Sequence, residues 1–194
     1  MKLDFWFDYA SPFAYLASTQ IDALAARTGA TLRWRPMLVG AVFRDVGQAD
    51  VPLFAMSEAK RRWYIDDIAQ WAAWWGVPLA FSPHFPLRSV LPLRVTLAHA
   101  APIPLAHRIF RAAWAEGRDI SDPEVLVDLG VDRALVAQAN QTQKQALIDE
   151  TQAALDAGAF GTPTFVVDDR WLFWGQDRLD QLEAALTGRW TPPA

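Results

Sequence analysis

The chain has 194 residues, 52% apolar and 21% charged, the profile of a globular protein with a sizeable core. A net charge of −4 and a pI near 5.3 leave no electrostatic footprint for nucleic acid, and no apolar run approaches the length that spans a membrane. Cysteine is absent, which removes disulfides, thiolate metal sites and dithiol redox chemistry together, so any sulfur chemistry has to come from a bound ligand.

The N-terminus carries neither the basic flank nor the apolar block of a signal peptide, and a cytoplasmic location is the expectation. Lys2 to Asp8 reads as a strand: Leu3, Phe5 and Phe7 alternate with Lys2, Asp4 and Asp8, and Trp6 interrupts the polar side. From Pro12 to Arg27 apolar residues recur at helical spacing, with Gly29 placed as a C-terminal cap. Thr31–Arg35 is a second strand ended by Pro36, which makes a βαβ unit with parallel strands. Val39 to Met56 has no sustained period and predicts loop with a short turn of helix. Helices follow at Glu58–Trp75, Leu91–Ala101 and Leu105–Glu116, then a short one from Ser121-Asp122-Pro123 to Gly130. Two more run over Arg133–Asn140 and from a capping box at Thr142 and Gln145 to Ala157. Thr164–Val167 and Arg170–Trp174 flank the turn Asp168-Asp169 as a hairpin, and Gln176-Asp177 leads into a final helix, Arg178–Leu186. This order predicts an α/β fold in which residues 1–39 and 158–194 pair into one four-stranded sheet and residues 40–157 form an all-helical insertion.

Two stretches carry possible chemistry. Ser11-Pro12 falls where a strand gives way to a helix N-terminus, where backbone N–H groups lack partners and the dipole favours negative charge. Taken alone, these residues favour the simpler role of an N-cap followed by proline at N1. Gly161-Thr162-Pro163-Thr164 opens the third strand; a cis Thr162–Pro163 bond is open to it, although the general frequency of X–Pro bonds favours trans. His84, His99 and His107 lack metal-ligand spacing, so no metal is expected. Asp66-Asp67 reads as a solvated helix face, and Lys60-Arg61-Arg62 as a basic cluster too small for nucleic acid.

Together these motifs resemble the DsbA-like branch of the thioredoxin fold, with its helical insertion and its cis-proline loop facing the first helix. Within it, Phe7-Asp8-Tyr9-Ala10-Ser11-Pro12-Phe13-Ala14-Tyr15-Leu16 is similar to the motif of 2-hydroxychromene-2-carboxylate isomerases and kappa-class glutathione transferases, where serine replaces the redox cysteine. Gly161–Phe165 resembles the cis-proline segment, Trp174–Leu179 the downstream glutathione-binding turn, and Lys60–Gly76, with Tyr64 and Asp67, the first helix of the insertion. The resemblance implies glutathione as cofactor, its sulfur held at Ser11 beside Pro12. The Ser11 hydroxyl would donate to the thiolate while the helix dipole lowers the thiol pKa. It implies that the Thr162 backbone, next to Pro163, pairs with the cysteinyl backbone, and that Asp177 meets the γ-glutamyl ammonium. The N–H groups of Gln176 to Arg178 would meet that residue's carboxylate. Without the resemblance Asp177 reads as an N-cap.

The chain departs from the family at Gly47–Pro52, where an asparagine and paired prolines are usual and Gln48 is the remaining candidate for the asparagine contact. It departs again at Phe85-Pro86-Leu87-Arg88, in place of Phe-Pro-x-Asn; Arg88 is either a carboxylate ligand or a solvated surface residue. The implied activity is glutathione-dependent conversion of 2-hydroxychromene-2-carboxylate to trans-o-hydroxybenzylidenepyruvate by reversible thiolate addition. The implied partner is a small aromatic carboxylate, in a pocket lined by Phe13, Trp34 and Phe43 with Arg35, Arg44 or Arg88 at its charge. A kappa-class-like transferase and a non-catalytic binding protein on the same scaffold stay open as alternatives. A homodimer is also implied, with Trp63 or Trp114 as interface candidates.

Overall fold

A computed structural model describes residues 1–193; Ala194, the end of the Pro-rich tail, lies outside them. Strands β1 (Lys2–Phe7), β2 (Thr31–Pro36), β3 (Thr164–Val167) and β4 (Trp171–Trp174) form one sheet in the order β2-β1-β3-β4. β1 and β2 run parallel, Lys2 opposite Thr31 and Phe7 opposite Pro36, joined through helix α1 (Pro12–Thr28). β3 pairs antiparallel with β1, Phe5 opposite Phe165, and the β3–β4 hairpin turns at Asp168 and Asp169, both at positive φ. Asp tolerates that region better than most residues, and Asp168 adds a side-chain bond from the Lys2 N–H at 2.7 Å.

The alternation in β1 separates two cores. Leu3, Phe5 and Phe7 join Phe165, Val167 and Phe173 on one face, beneath α1 and the last helix. Trp6 interrupts the polar side as the alternation indicates: it lies on the second face, with Lys2 and Asp4, and is fully buried there against Met37, Val42, Ala154 and Val166. That second face is covered by α2 (Val39–Asp45) and α9 (Lys144–Asp156).

Between the two halves of the sheet all regular structure is helical. The stretch expected as loop holds α2 and a further short helix, α3 (Pro52–Ala55). Long α4 (Glu58–Trp75) starts on the Ser57 cap and stops at Gly76 in the left-handed region. Then come α5 (Val90–Ala98), α6 (Pro102–Trp114), α7 (Pro123–Asp128) and α8 (Arg133–Thr142). The first core runs on without a break into this segment through Tyr9, Phe110, Trp114, Leu126 and Val136. α6 begins three residues earlier than its periodicity indicates, because Pro102 serves as its N1 residue. The capping box at Thr142 and Gln145 does not form. Thr142 belongs to the last turn of α8, where its hydroxyl donates to Gln138 O (3.1 Å), and Gln145 reaches forward to Asp149 (2.8 Å). A 3₁₀ turn over Gln176–Arg178 precedes α10 (Leu179–Leu186). Among the described residues no helix is long and apolar enough to cross a membrane.

Candidate functional site

Ser11 is delivered by a tight turn after β1. Its N–H donates to Asp8 O (3.1 Å) and the Ala10 N–H to Asp8 Oδ1 (2.9 Å), so backbone and side chain of Asp8 make the turn together. Trp114 Nε1 holds Tyr9 O at 2.8 Å, and the Tyr9 hydroxyl lies 2.6 Å from Thr96 Oγ1, which fixes the turn to α5 and α6. At its end Ser11 Oγ accepts the Ala14 N–H (3.1 Å) as N-cap of α1 and donates its own hydrogen to Thr162 O (3.2 Å). The two roles open to Ser11 are therefore compatible. One lone pair caps the helix, and the hydroxyl hydrogen rests on a carbonyl at long range, from which an anion can draw it. No acidic residue occupies the first turn of the seventeen-residue α1 to compete for that anion.

Thr162 precedes a cis Pro163, against the general frequency of X–Pro bonds. The loop is pinned by Thr162 Oγ1 to Trp6 O (3.3 Å), Thr164 Oγ1 to Gly161 O (2.8 Å) and the Gly175 N–H to Pro163 O (3.0 Å). The Thr162 N–H has no acceptor among the described residues, which leaves a backbone donor beside Ser11 for an extended peptide.

Gly175 brings the third part in. Its φ of 105° with ψ of 149° is open to glycine alone, and a Cβ there would collide with Asp177 Oδ1. The Asp177 carboxylate is thereby folded onto the backbone, with Arg178 Nη2 at 3.5 Å. On α4, burial and then the Asp177 charge push the Asp67 carboxyl above its ordinary range, against a hydrogen bond from Trp71. Asp67 has no cation within ion-pair reach among the described residues, so the two carboxylates favour a cationic group between them. An open cleft of about 350 Å³ runs along Asp67, Gln70, Trp71 and Trp74. Phe13 and Tyr64 close the seam between α1 and α4, edge to face at 5.0 Å. Burial, then the Asp67 charge, push the Tyr64 hydroxyl up to about 12, which keeps it a donor.

Ser11, Pro12, Phe13, Thr162, Pro163, Gln176, Asp177 and Arg178 thus fall around the head of α1 and the loops that face it. Asp67 and Tyr64 join them; the periodicity of α4 shows only an amphipathic helix, and the one signal in the sequence was their place in the family-like helix. Other expected residues go elsewhere. Trp34 is packed between Phe5, Phe7 and His107, its Nε1 on Asp22 (3.0 Å), which removes it from a pocket lining. Arg35 lies on the opposite face of the sheet, 3.9 Å over the Trp6 ring, bound to Glu150 (2.9 and 3.2 Å) and Asp4 (3.3 Å), so it has no free fork for a substrate. Arg44 is exposed and 3.7 Å from Asp50. Gln48 lies in the exposed turn after α2, where no contact ties it to Ser11. Trp114 is fully buried and cannot serve an interface, whereas Trp63 is exposed. Arg88 is exposed with no ion-pair partner among the described residues.

The chain resembles known proteins over nearly its whole length. A family model described as a DSBA-like thioredoxin domain matches residues 2–187. A 2-hydroxychromene-2-carboxylate isomerase of Pseudomonas putida is 31% identical over 96% of this chain and 94% of its own. A glutathione S-transferase kappa 1 of Caenorhabditis elegans is 26% identical over 91% of this chain and 87% of its own. Among solved structures, a 2-hydroxychromene-2-carboxylate isomerase superposes with a TM-score of 0.85 at 29% identity, covering 97% of this chain and 95% of that one. By sequence and by shape alike, the chain belongs to the DsbA-like thioredoxin family, in the group of the 2-hydroxychromene-2-carboxylate isomerases and kappa-class glutathione transferases.

Proposed function

We propose that the protein is a glutathione-dependent isomerase that converts a 2-hydroxychromene-2-carboxylate to trans-o-hydroxybenzylidenepyruvate. The observation that carries this reading is the Ser11 hydroxyl, held by the Ala14 N–H and directed at Thr162 O at the head of α1. Glutathione, when bound, supplies a thiolate that adds reversibly to the conjugated system of the substrate. The residues present fit it: the open Thr162 N–H suits its peptide backbone, and the Asp67–Asp177 pair suits its ammonium group.

The chain's own part is to hold and orient. Ser11 gives its hydrogen to the sulfur, and the dipole of α1 favours the negative charge there, so the thiol ionises below its ordinary value near ~8.5. Asp177 and Asp67 take the cationic end, and the N–H groups of Gln176 and Asp177 the neighbouring carboxylate. Arg88 is the one arginine of the three expected that makes no ion pair among the described residues, although the Asp119 carboxylate feels its charge, and it takes the substrate's carboxylate. An aromatic wall of Phe54, Phe81 and Phe85 stands nearby, with centroids 5.1 to 5.9 Å apart, on Trp114, whose indole holds the Tyr9 carbonyl in the Ser11 turn. The enzyme works as a homodimer in this reading.

Titration with reduced glutathione, followed by the ultraviolet absorbance of the thiolate, is the first test. Absence of binding removes the reading. Full conversion of a hydroxychromene carboxylate with glutathione in catalytic amount supports the isomerase, and stoichiometric loss of glutathione into a conjugate marks a transferase instead.

A further inference from the structure

Asp8 is the most deeply buried carboxylate among the described residues, and the chemistry above does not use it. Its residue is fully inaccessible, and no lysine, arginine or histidine lies within ion-pair reach among the described residues. Instead two segments meet at its two oxygens. Oδ1 takes the Ala10 N–H of the Ser11 turn (2.9 Å), and Oδ2 takes the Val39 N–H at the head of α2 (2.8 Å).

The second bond replaces a missing local one. Leu38, the N-cap residue of α2, has no side chain able to cap, so Asp8 satisfies that helix from just beyond β1. Burial pushes the Asp8 carboxyl above its ordinary range, so an acidic group at this place costs the fold stability once it ionises.

We infer that Asp8 is the positioning residue of the site: its side-chain oxygens tie the Ser11 turn to the head of α2, and so fix the direction of the Ser11 hydroxyl. The inference rests on the glutathione reading only for its effect on the sulfur. Asp8→Asn keeps the size of the side chain but presents one acceptor oxygen where two are needed.

The test is a double-mutant cycle read on the ionisation of the glutathione thiol, followed by thiolate absorbance against pH. Asp8→Asn is expected to raise the midpoint by about one pH unit in the otherwise native chain, and by less than about a third of a unit in a Ser11→Ala background. Equal shifts in both backgrounds, no shift, or a downward shift from the lost negative charge overturn the inference. Asp8→Ser, which keeps an acceptor for the Ala10 N–H but is too short to reach the Val39 N–H, moves the midpoint the same way by less, and stands in if Asp8→Asn fails to fold. Amide exchange of the free protein is the second readout: the Ala10 and Val39 amides exchange at least about tenfold faster in Asp8→Asn while Val166 keeps its rate. Unchanged exchange overturns the tether whether or not glutathione binds. If the native protein holds no thiolate, the glutathione reading fails by itself and the amides decide on Asp8.

Discussion

Asp4 and Asp8 stand on and just beyond the same strand, both buried, in opposite surroundings. Asp4 lies on the sheet face that carries Arg33 and Arg35. Arg33 grips it with two bonds of 2.6 Å, Arg35 adds one of 3.3 Å that continues to Glu150, and Lys2 lies at 3.7 Å. Burial alone would raise the Asp4 carboxyl; the Arg33 bonds and charge, with Lys2 and Arg35, hold it below its ordinary range. Asp8 meets only neutral donors and is pushed the other way. One end of β1 is a closed network that matches its own charges. The other end leaves polar groups unmatched around Ser11, Thr162 and Asp67, which is how a protein keeps binding capacity at a local cost in stability. The difference is that between holding the sheet together and holding a ligand.

The contrast is most exposed to Ser11→Ala. Turnover with glutathione is expected to fall about 100-fold, as for loss of one donor to a developing anion, while the lost cap costs about 1 kcal/mol in urea unfolding. Unaltered turnover would place the chemistry elsewhere. Asp177→Asn comes next, weakening glutathione about tenfold by calorimetric titration; an unchanged affinity would show that the Asp67–Asp177 pair takes no ammonium group. At the other end, Arg33→Met is expected to cost about 1–2 kcal/mol of stability and to leave turnover alone, a modest figure because Arg33 is half exposed and Arg35 and Lys2 remain on Asp4. A variant that lost activity in proportion to stability would merge the two ends into one.

The smallest effect is in pH dependence, and it differs in sign. Asp4 titrates below 3.8, so its stabilisation is complete above about pH 4 and is lost as pH falls through its folded value. Asp8 titrates above 3.8, so its contribution is fully present below about pH 4 and is lost as pH rises through its folded value. Urea midpoints of Asp4→Asn should lose the acid-side decline below about pH 4, and those of Asp8→Asn the opposite slope above it. Identical pH profiles for the two variants would show that the carboxylates are in equivalent settings.

Much of this was legible in the residues. The βαβ unit, the glycine stops at Gly29 and Gly76, the hairpin at Asp168-Asp169 and the place of Ser11 at a helix head depend on signals a few residues long, because caps, turns and periodicity are set by neighbours in the chain. The same locality misled where two local solutions compete. Thr142 reads as a cap but finds a carbonyl one turn back, and Val39–Met56 lacks periodicity because its helices are only seven and four residues long.

What only the tertiary structure decided is the choice of partners across the chain. Arg35 as a substrate ligand was a reasonable expectation until β2 came to lie where Glu150, 115 positions away, takes its fork. Trp34 was exposed to the same revision by Asp22 and His107. Asp67 read as solvated until the Asp177 turn came to lie close enough to raise its carboxyl, and Asp8 read as the end of a strand until the head of α2 came to rest on it. A short stretch of sequence determines which groups are available and how the local backbone runs. Which of them remain unmatched, and therefore free to bind, is settled by sheet order and helix packing, since a charge or hydrogen bond is satisfied by whatever the fold brings within about 3 Å.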